Sequence, residues 1–134
     1  MSFEILRLGH LGDGIAEGPV FVPRTLPNEI VDGKVRDGVL AAPRIITPSE
    51  HRVKAPCRHY NSCGGCSLQH ADEGFVASWK AGVVQMALAA QGINADIRAI
   101  ETSPSHARRR AKLSGRRTKK GAIVGFHGRG SDTL

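Results

Sequence analysis

Cys57-Arg58-His59-Tyr60-Asn61-Ser62-Cys63-Gly64-Gly65-Cys66-Ser67-Leu68-Gln69-His70 contains every cysteine of the chain, spaced C-x5-C-x2-C. An odd number of thiols bunched in one polar, glycine-rich loop is no disulfide framework, and such a loop offers little apolar packing for buried thiols. It points to metal or redox chemistry in an intracellular protein. Two ligand sets compete. A 4Fe–4S cluster suits closely spaced cysteines with glycines between them, because glycine lets backbone N–H groups approach the sulfides, but it needs a fourth ligand from elsewhere. A structural zinc would take Cys57, Cys63, Cys66 and His70 as a tetrahedral set. Spacing alone leaves the two readings level.

The flanks differ in character. Upstream, short runs rich in β-branched residues alternate with Gly and Pro. They are Ile5–Leu8, Val20–Val22, Glu29–Val31, Lys34–Arg36, Val39–Ala41 and Arg44–Thr47. About five strands at such close spacing predict a small OB-like barrel over residues 1–52, an architecture that often binds single strands or structured RNA. Gly12-Asp13-Gly14 reads as a turn. Residues 53–70 lack periodicity and predict an irregular loop. Downstream, Asp72 is positioned as an N-cap. Phe75, Trp79, Val83, Met86 and Ala90 follow on one helical face, with Trp79 and Met86 expected in the core and Gly92 as the stop. Asp96–Ile100 predicts a short strand. A β-hairpin is expected at the end, with Arg110, Lys112 and Ser114 alternating along its first strand, Lys119-Lys120-Gly121 at its turn, and Ala122–Phe126 returning. The fold class is therefore a β-rich α+β chain, a small five-stranded barrel followed by an incomplete α+β domain over 53–134.

The net charge of +7 is concentrated at one end. Residues 1–56 carry seven Lys/Arg against seven Asp/Glu, residues 57–104 three against four, and residues 105–134 nine against one. Charge that localised predicts a polyanion-binding surface, and the candidates are Arg108, Arg109, Arg110, Lys112, Arg116, Arg117, Lys119 and Lys120. No segment has the apolar length of a membrane span and the N-terminus does not read as an export signal. A cytoplasmic monomer is expected.

The cysteine run with its Gln69-His70 tail resembles the iron–sulfur signature of the bacterial 23S rRNA (uracil-5-)methyltransferases. The upstream stretches Leu8-Gly9-His10, Gly12-x-Gly14-Ile15-Ala16, Val20-Phe21-Val22-Pro23, Thr25-Leu26-Pro27-x-Glu29 and Pro48-Ser49-x-x-Arg52-Val53 resemble a TRAM domain, which precedes the signature in that family. The Arg-rich run at 108–113 is similar to the strand that follows it. The resemblance implies a 4Fe–4S cluster held by Cys57, Cys63, Cys66 and a fourth cysteine that would lie beyond Leu134. It implies RNA, of the ribosomal class, as partner, and S-adenosylmethionine as a cofactor of the parent enzyme only. In such enzymes a thiolate adds to C6 of an unstacked uracil before C5 is methylated. No residue of this chain is assigned to that chemistry, and the chain alone is expected to be inactive.

Overall fold

A computed structural model describes all 134 residues. Five antiparallel strands build the N-terminal sheet: β1 (Ser2–Leu8), β2 (Gly14–Ala16), β3 (Val20–Val22), β4 (Ile30–Asp32) and β5 (Arg44–Thr47). Their order is β3-β2-β1-β4-β5, so the long first strand lies at the centre. Ile5, Ala16, Val22, Val31 and Leu40 point to one side and form the inner cluster, as the two-residue period of a half-buried sheet requires. A bulge between Ile5 and Arg7 re-aims the end of β1.

The sheet is not closed into a barrel, because β3 and β5 do not pair. The segment between β4 and β5 covers the β3 edge instead. Phe21 donates to the Gly38 carbonyl (2.8 Å) and accepts from Leu40 N (2.9 Å). The runs Lys34–Arg36 and Val39–Ala41, predicted as strands, are thereby used up in a tight turn. Asp37 and Gly38 both have positive φ (49° and 76°), and a single bridge joins Arg36 to Val39. Conversely, Gly14 opens a strand and does not close a turn. A side chain there would run into Thr25, Ile5 and the Val22 carbonyl, so only glycine lets β2 lie this close to its neighbours.

A second cluster, Leu8, Leu26 and Ala71, collects Leu68, Phe75, Val76 and Trp79 around it. It ties the sheet to the cysteine loop and to the helix α1 (Glu73–Ala89) across residue 52. Asp72 caps α1 as predicted, accepting from Phe75 N (2.7 Å), while its other oxygen meets His51 Nδ1 (2.8 Å). Both bonds hold its carboxyl below the usual range, the Phe75 amide more strongly. Asp72→Ala is expected to lower the thermal midpoint and the helical circular dichroism, and Asp72→Asn, which still caps, should restore most of both. Only the first turns of α1 pack. Val83 is exposed and Met86 is 74% exposed, so the expectation of Met86 in the core fails. The helix docks on the second cluster by one end, and nothing in the chain covers its far half.

Residues 93–113 hold no strand. Asp96–Ile100 has β-prone residues but no neighbour to supply a ladder. The hairpin exists, shifted along the chain: β6 (Ser114–Thr118) pairs with β7 (Gly121–Gly125) around Lys119-Lys120. No helix is long and apolar enough to cross a membrane.

Candidate metal and RNA-binding site

The cysteine loop is irregular, as expected, and is shaped by backbone bonds and three side-chain anchors. Tyr60 N donates to Cys57 O (3.1 Å) and Cys63 N to His59 O (2.8 Å). Gln69 Oε1 accepts from Cys57 N (3.1 Å), so the glutamine of the Gln-His tail holds the first cysteine. His70 does different work. It is 3% exposed, with Nε2 3.1 Å from Thr25 O and Nδ1 2.6 Å from the Tyr60 hydroxyl. A carbonyl only accepts, so Nε2 carries the proton and Nδ1 is the acceptor. The Tyr60 hydroxyl also stands 2.7 Å from Ser67 O, so its one proton serves two acceptors. Burial pushes the His70 imidazole below its usual value and the Tyr60 phenol above its own.

The end of the chain lies against this loop. Gly64 N donates to His127 O (2.8 Å), Arg129 N to Ser62 O (3.0 Å), and Cys63 bridges Gly128. The Arg129 guanidinium donates to Cys66 O (3.0 Å), lies over the Tyr60 ring and approaches Asp13 (3.9 Å). Cys57, Cys63 and Cys66 consequently line one cleft of about 830 Å³, walled opposite by Phe126, Gly128 and Arg129. Gly65 N donates to Cys63 Sγ (3.3 Å), and a Cβ on Gly64 would come within 3.0 Å of the His127 carbonyl. A side chain there would have to push the facing backbone away by a few tenths of an ångström, and the neighbouring glycine supplies an N–H to sulfur.

No three His, Cys, Asp or Glu side chains are placed to hold one metal ion together. His70 is not drawn toward the thiols, and both its ring nitrogens are taken. The set of three cysteines and His70 for a zinc is therefore not assembled. The three thiols do line one cleft, with an N–H aimed at one sulfur, a donor set that either metal group could use.

The eight predicted RNA-binding cations are all exposed, and none is in a salt bridge. They are not brought onto one hairpin face. Arg108, Arg109, Arg110 and Lys112 precede β6, Arg108 lying over the Phe126 ring beside the cleft. Arg116 and Arg117, adjacent in β6, point to opposite faces. Lys119 and Lys120 form the turn. Arg129, Arg24 and Gln69 were missed as site residues. Arg24, which donates to Asn61 O, and Arg129 act on partners far away in sequence, and Gln69, though inside the quoted run, meets Cys57 only along the folded path of the loop.

No protein-family model matches the chain. Among curated proteins, it is 39% identical over 139 residues to an uncharacterised RNA methyltransferase of Caulobacter vibrioides, covering 99% of this chain and 34% of that protein. It is 38% identical over 128 residues to another from Mesorhizobium japonicum, covering 93% and 31%. A 23S rRNA (uracil(1939)-C(5))-methyltransferase of Marinomonas is 34% identical over 143 residues, covering 99% and 32%. The chain is related to RNA methyltransferases. It spans about a third of the length of these relatives, 31–34%. Its fold is also found in the crystal structure of a Pyrococcus abyssi tRNA (uracil-54, C5)-methyltransferase bound to S-adenosyl-L-homocysteine. The TM-score is 0.59 and the identity 26%, over 94% of this chain and 29% of the methyltransferase.

Proposed function

We propose that this chain is the RNA-recognition portion of an S-adenosylmethionine-dependent RNA (uracil-5-)methyltransferase acting on ribosomal RNA in the cytoplasm. The observation that carries this reading is the match of nearly the whole chain to RNA methyltransferases at 34–39% identity. A uracil-C5 methyltransferase also shares its fold. Residues 1–52 serve as the TRAM domain and residues 53–134 as part of the iron–sulfur domain. Cys57, Cys63 and Cys66 hold a 4Fe–4S cluster, with Gly65 N donating to the Cys63 sulfur. The cluster's contribution is to fix the loop, since binding of a structural metal group is coupled to folding. Methyl transfer belongs to parts of the enzyme with which these residues do not overlap.

The cations at 108–120 contact phosphates, which position RNA without reading its sequence. Their long, solvated side chains cost little to reorient, and each phosphate they neutralise releases a counterion. Arg108→Ala/Arg109→Ala/Arg110→Ala should weaken binding of a labelled single-stranded RNA by about 100-fold near 0.1 M salt and flatten the slope of log K against log salt by about 2. An unchanged slope removes these arginines from the interface. For the cluster, protein reconstituted anaerobically with iron and sulfide should show broad visible absorption that bleaches in air. Colourless protein carrying stoichiometric zinc after the same treatment would overturn the assignment.

A further inference from the structure

Folding assembles a second basic surface beside the cysteine loop, sharing Cys57 and Tyr60 with the cleft walled by Arg129. A groove of about 700 Å³ runs along the seam between β5 and the loop. Arg24, Arg52, Lys54 and Arg58 line it, with Ile45 and Val53 among its apolar walls, and no Asp or Glu contributes to it. Charge counted along the sequence hides this, because residues 1–56 balance to zero. The balance breaks on folding. Glu29 is fully buried and spent on Arg52, while Asp32 is spent on the N-terminus and Arg44. Arg24, Lys54 and Arg58 have no carboxylate partner.

Arg24 is also held in place. Its backbone sits at φ 57°, in the left-handed region that favours glycine. Its carbonyl accepts from Arg52 (2.8 Å), and its guanidinium donates to Asn61 O across the seam (2.6 Å). That fixes one cation at the point where the sheet meets the cysteine loop, while Lys54 and Arg58 are exposed along the rim, Arg58 donating to His59 Nε2 (3.2 Å).

We propose that this groove binds single-stranded RNA, with Arg24, Lys54 and Arg58 on successive phosphates and a base against Ile45 and Val53. The proposal rests on the RNA-binding reading of the chain and adds a site to it. An open groove lined by cations and apolar side chains together suits an extended strand, whose bases are free to leave the stack. A duplex keeps its bases inside and could touch only the rim.

The test uses a fluorescein-labelled oligouridylate and the 134-residue chain, with binding measured by anisotropy across a salt series. Lys54→Gln/Arg58→Gln should weaken binding on the order of 10-fold near 0.1 M salt and flatten the log–log salt slope by about 1.4. Lys54→Arg/Arg58→Lys should restore both. Lys34→Gln/Arg36→Gln, the same charge change on another face, should leave the slope unaltered. If the groove variant binds like the parent while the Arg108–Arg110 variant does not, the groove is overturned and the RNA-binding reading stands. Equal losses in the groove and control variants reduce the effect to net charge and also overturn it. An unaltered chain that fails to bind the strand defeats both.

Discussion

Glu29→Gln is expected to destabilise the fold by about 3 kcal/mol, the lower end of the range for breaking a buried ion pair. The Glu29 side chain is fully buried, and its two oxygens accept from Leu26 N (2.8 Å), Ser49 N (3.1 Å), Arg52 Nε (2.5 Å) and a terminal Arg52 nitrogen (2.7 Å). A carboxamide keeps the shape but turns an N–H toward donors that have nothing else to bond. It also strands the Arg52 charge, which is 23% exposed and so recovers part of its hydration. Arg52→Lys should cost less, since the charge survives but the bidentate geometry does not. Glu29→Leu/Arg52→Met should recover only the cost of the stranded charge, because the Leu26 and Ser49 amides still lose their acceptor. Urea unfolding measures all three. A Gln variant within about 0.5 kcal/mol of the parent would place it among ordinary surface substitutions and would mean the pair does not hold the sheet together.

The acid behaviour follows from the same geometry. Burial pushes the Glu29 carboxyl upward, but the Arg52 bond, the Ser49 and Leu26 amides and the Arg52 charge outweigh it, and the group ends below its usual value of 4.5. A depressed folded pKa means the unfolded chain binds the proton more readily. The contribution is therefore complete above about pH 4.5 and is lost as pH falls through the lower folded value.

That pair also shows which parts of the molecule the sequence could disclose. Glu29 and Arg52 were both visible, in the stretches Thr25–Glu29 and Pro48–Val53. That they join each other was not, because nothing local links residues 23 positions apart. Strands with strong β-branched character, such as Ile5–Leu8 and Arg44–Thr47, were legible from propensity. Gly14–Ala16 was not, since it is a strand only because glycine admits close neighbours. The Asp72 cap was local chemistry and was read correctly. The fate of Met86 was not local, because it depends on what lies beyond the helix. In the cysteine loop the thiols announced themselves, but Gln69 as the anchor of Cys57 and Arg129 as the clasp over Cys66 depend on the folded path. The basic groove is the clearest case, for it arises when folding buries acids and leaves their neighbouring cations outside.

His70 carries the second large effect and separates the two metal readings. His70→Ala should destabilise by about 2–4 kcal/mol, the sum of a lost buried side chain and of partners left unsatisfied. Thr25 O loses its donor, and the Tyr60 hydroxyl keeps only Ser67 O. Tyr60→Phe should cost less, about 1–2 kcal/mol, because the ring still fills its space. The two losses should be non-additive in a double-mutant cycle, since each removes the same bond. Iron and sulfide content, measured after anaerobic reconstitution at a temperature where the variant remains folded, should match the parent. Stoichiometric metal loss with the fold intact would instead make His70 a ligand and sink its assignment as a core residue. The two buried groups also separate in pH. Burial depresses the His70 pKa below 6.5, so its share of stability is full above that pH and declines as pH falls toward the folded value. Glu29 adds a second decline that begins only below about 4.5. The parent should therefore lose stability in two stages on acidification. His70→Ala should lack the decline that begins near pH 6.5, and Glu29→Gln should shrink the later one, to which Asp72, also held below its usual value, contributes.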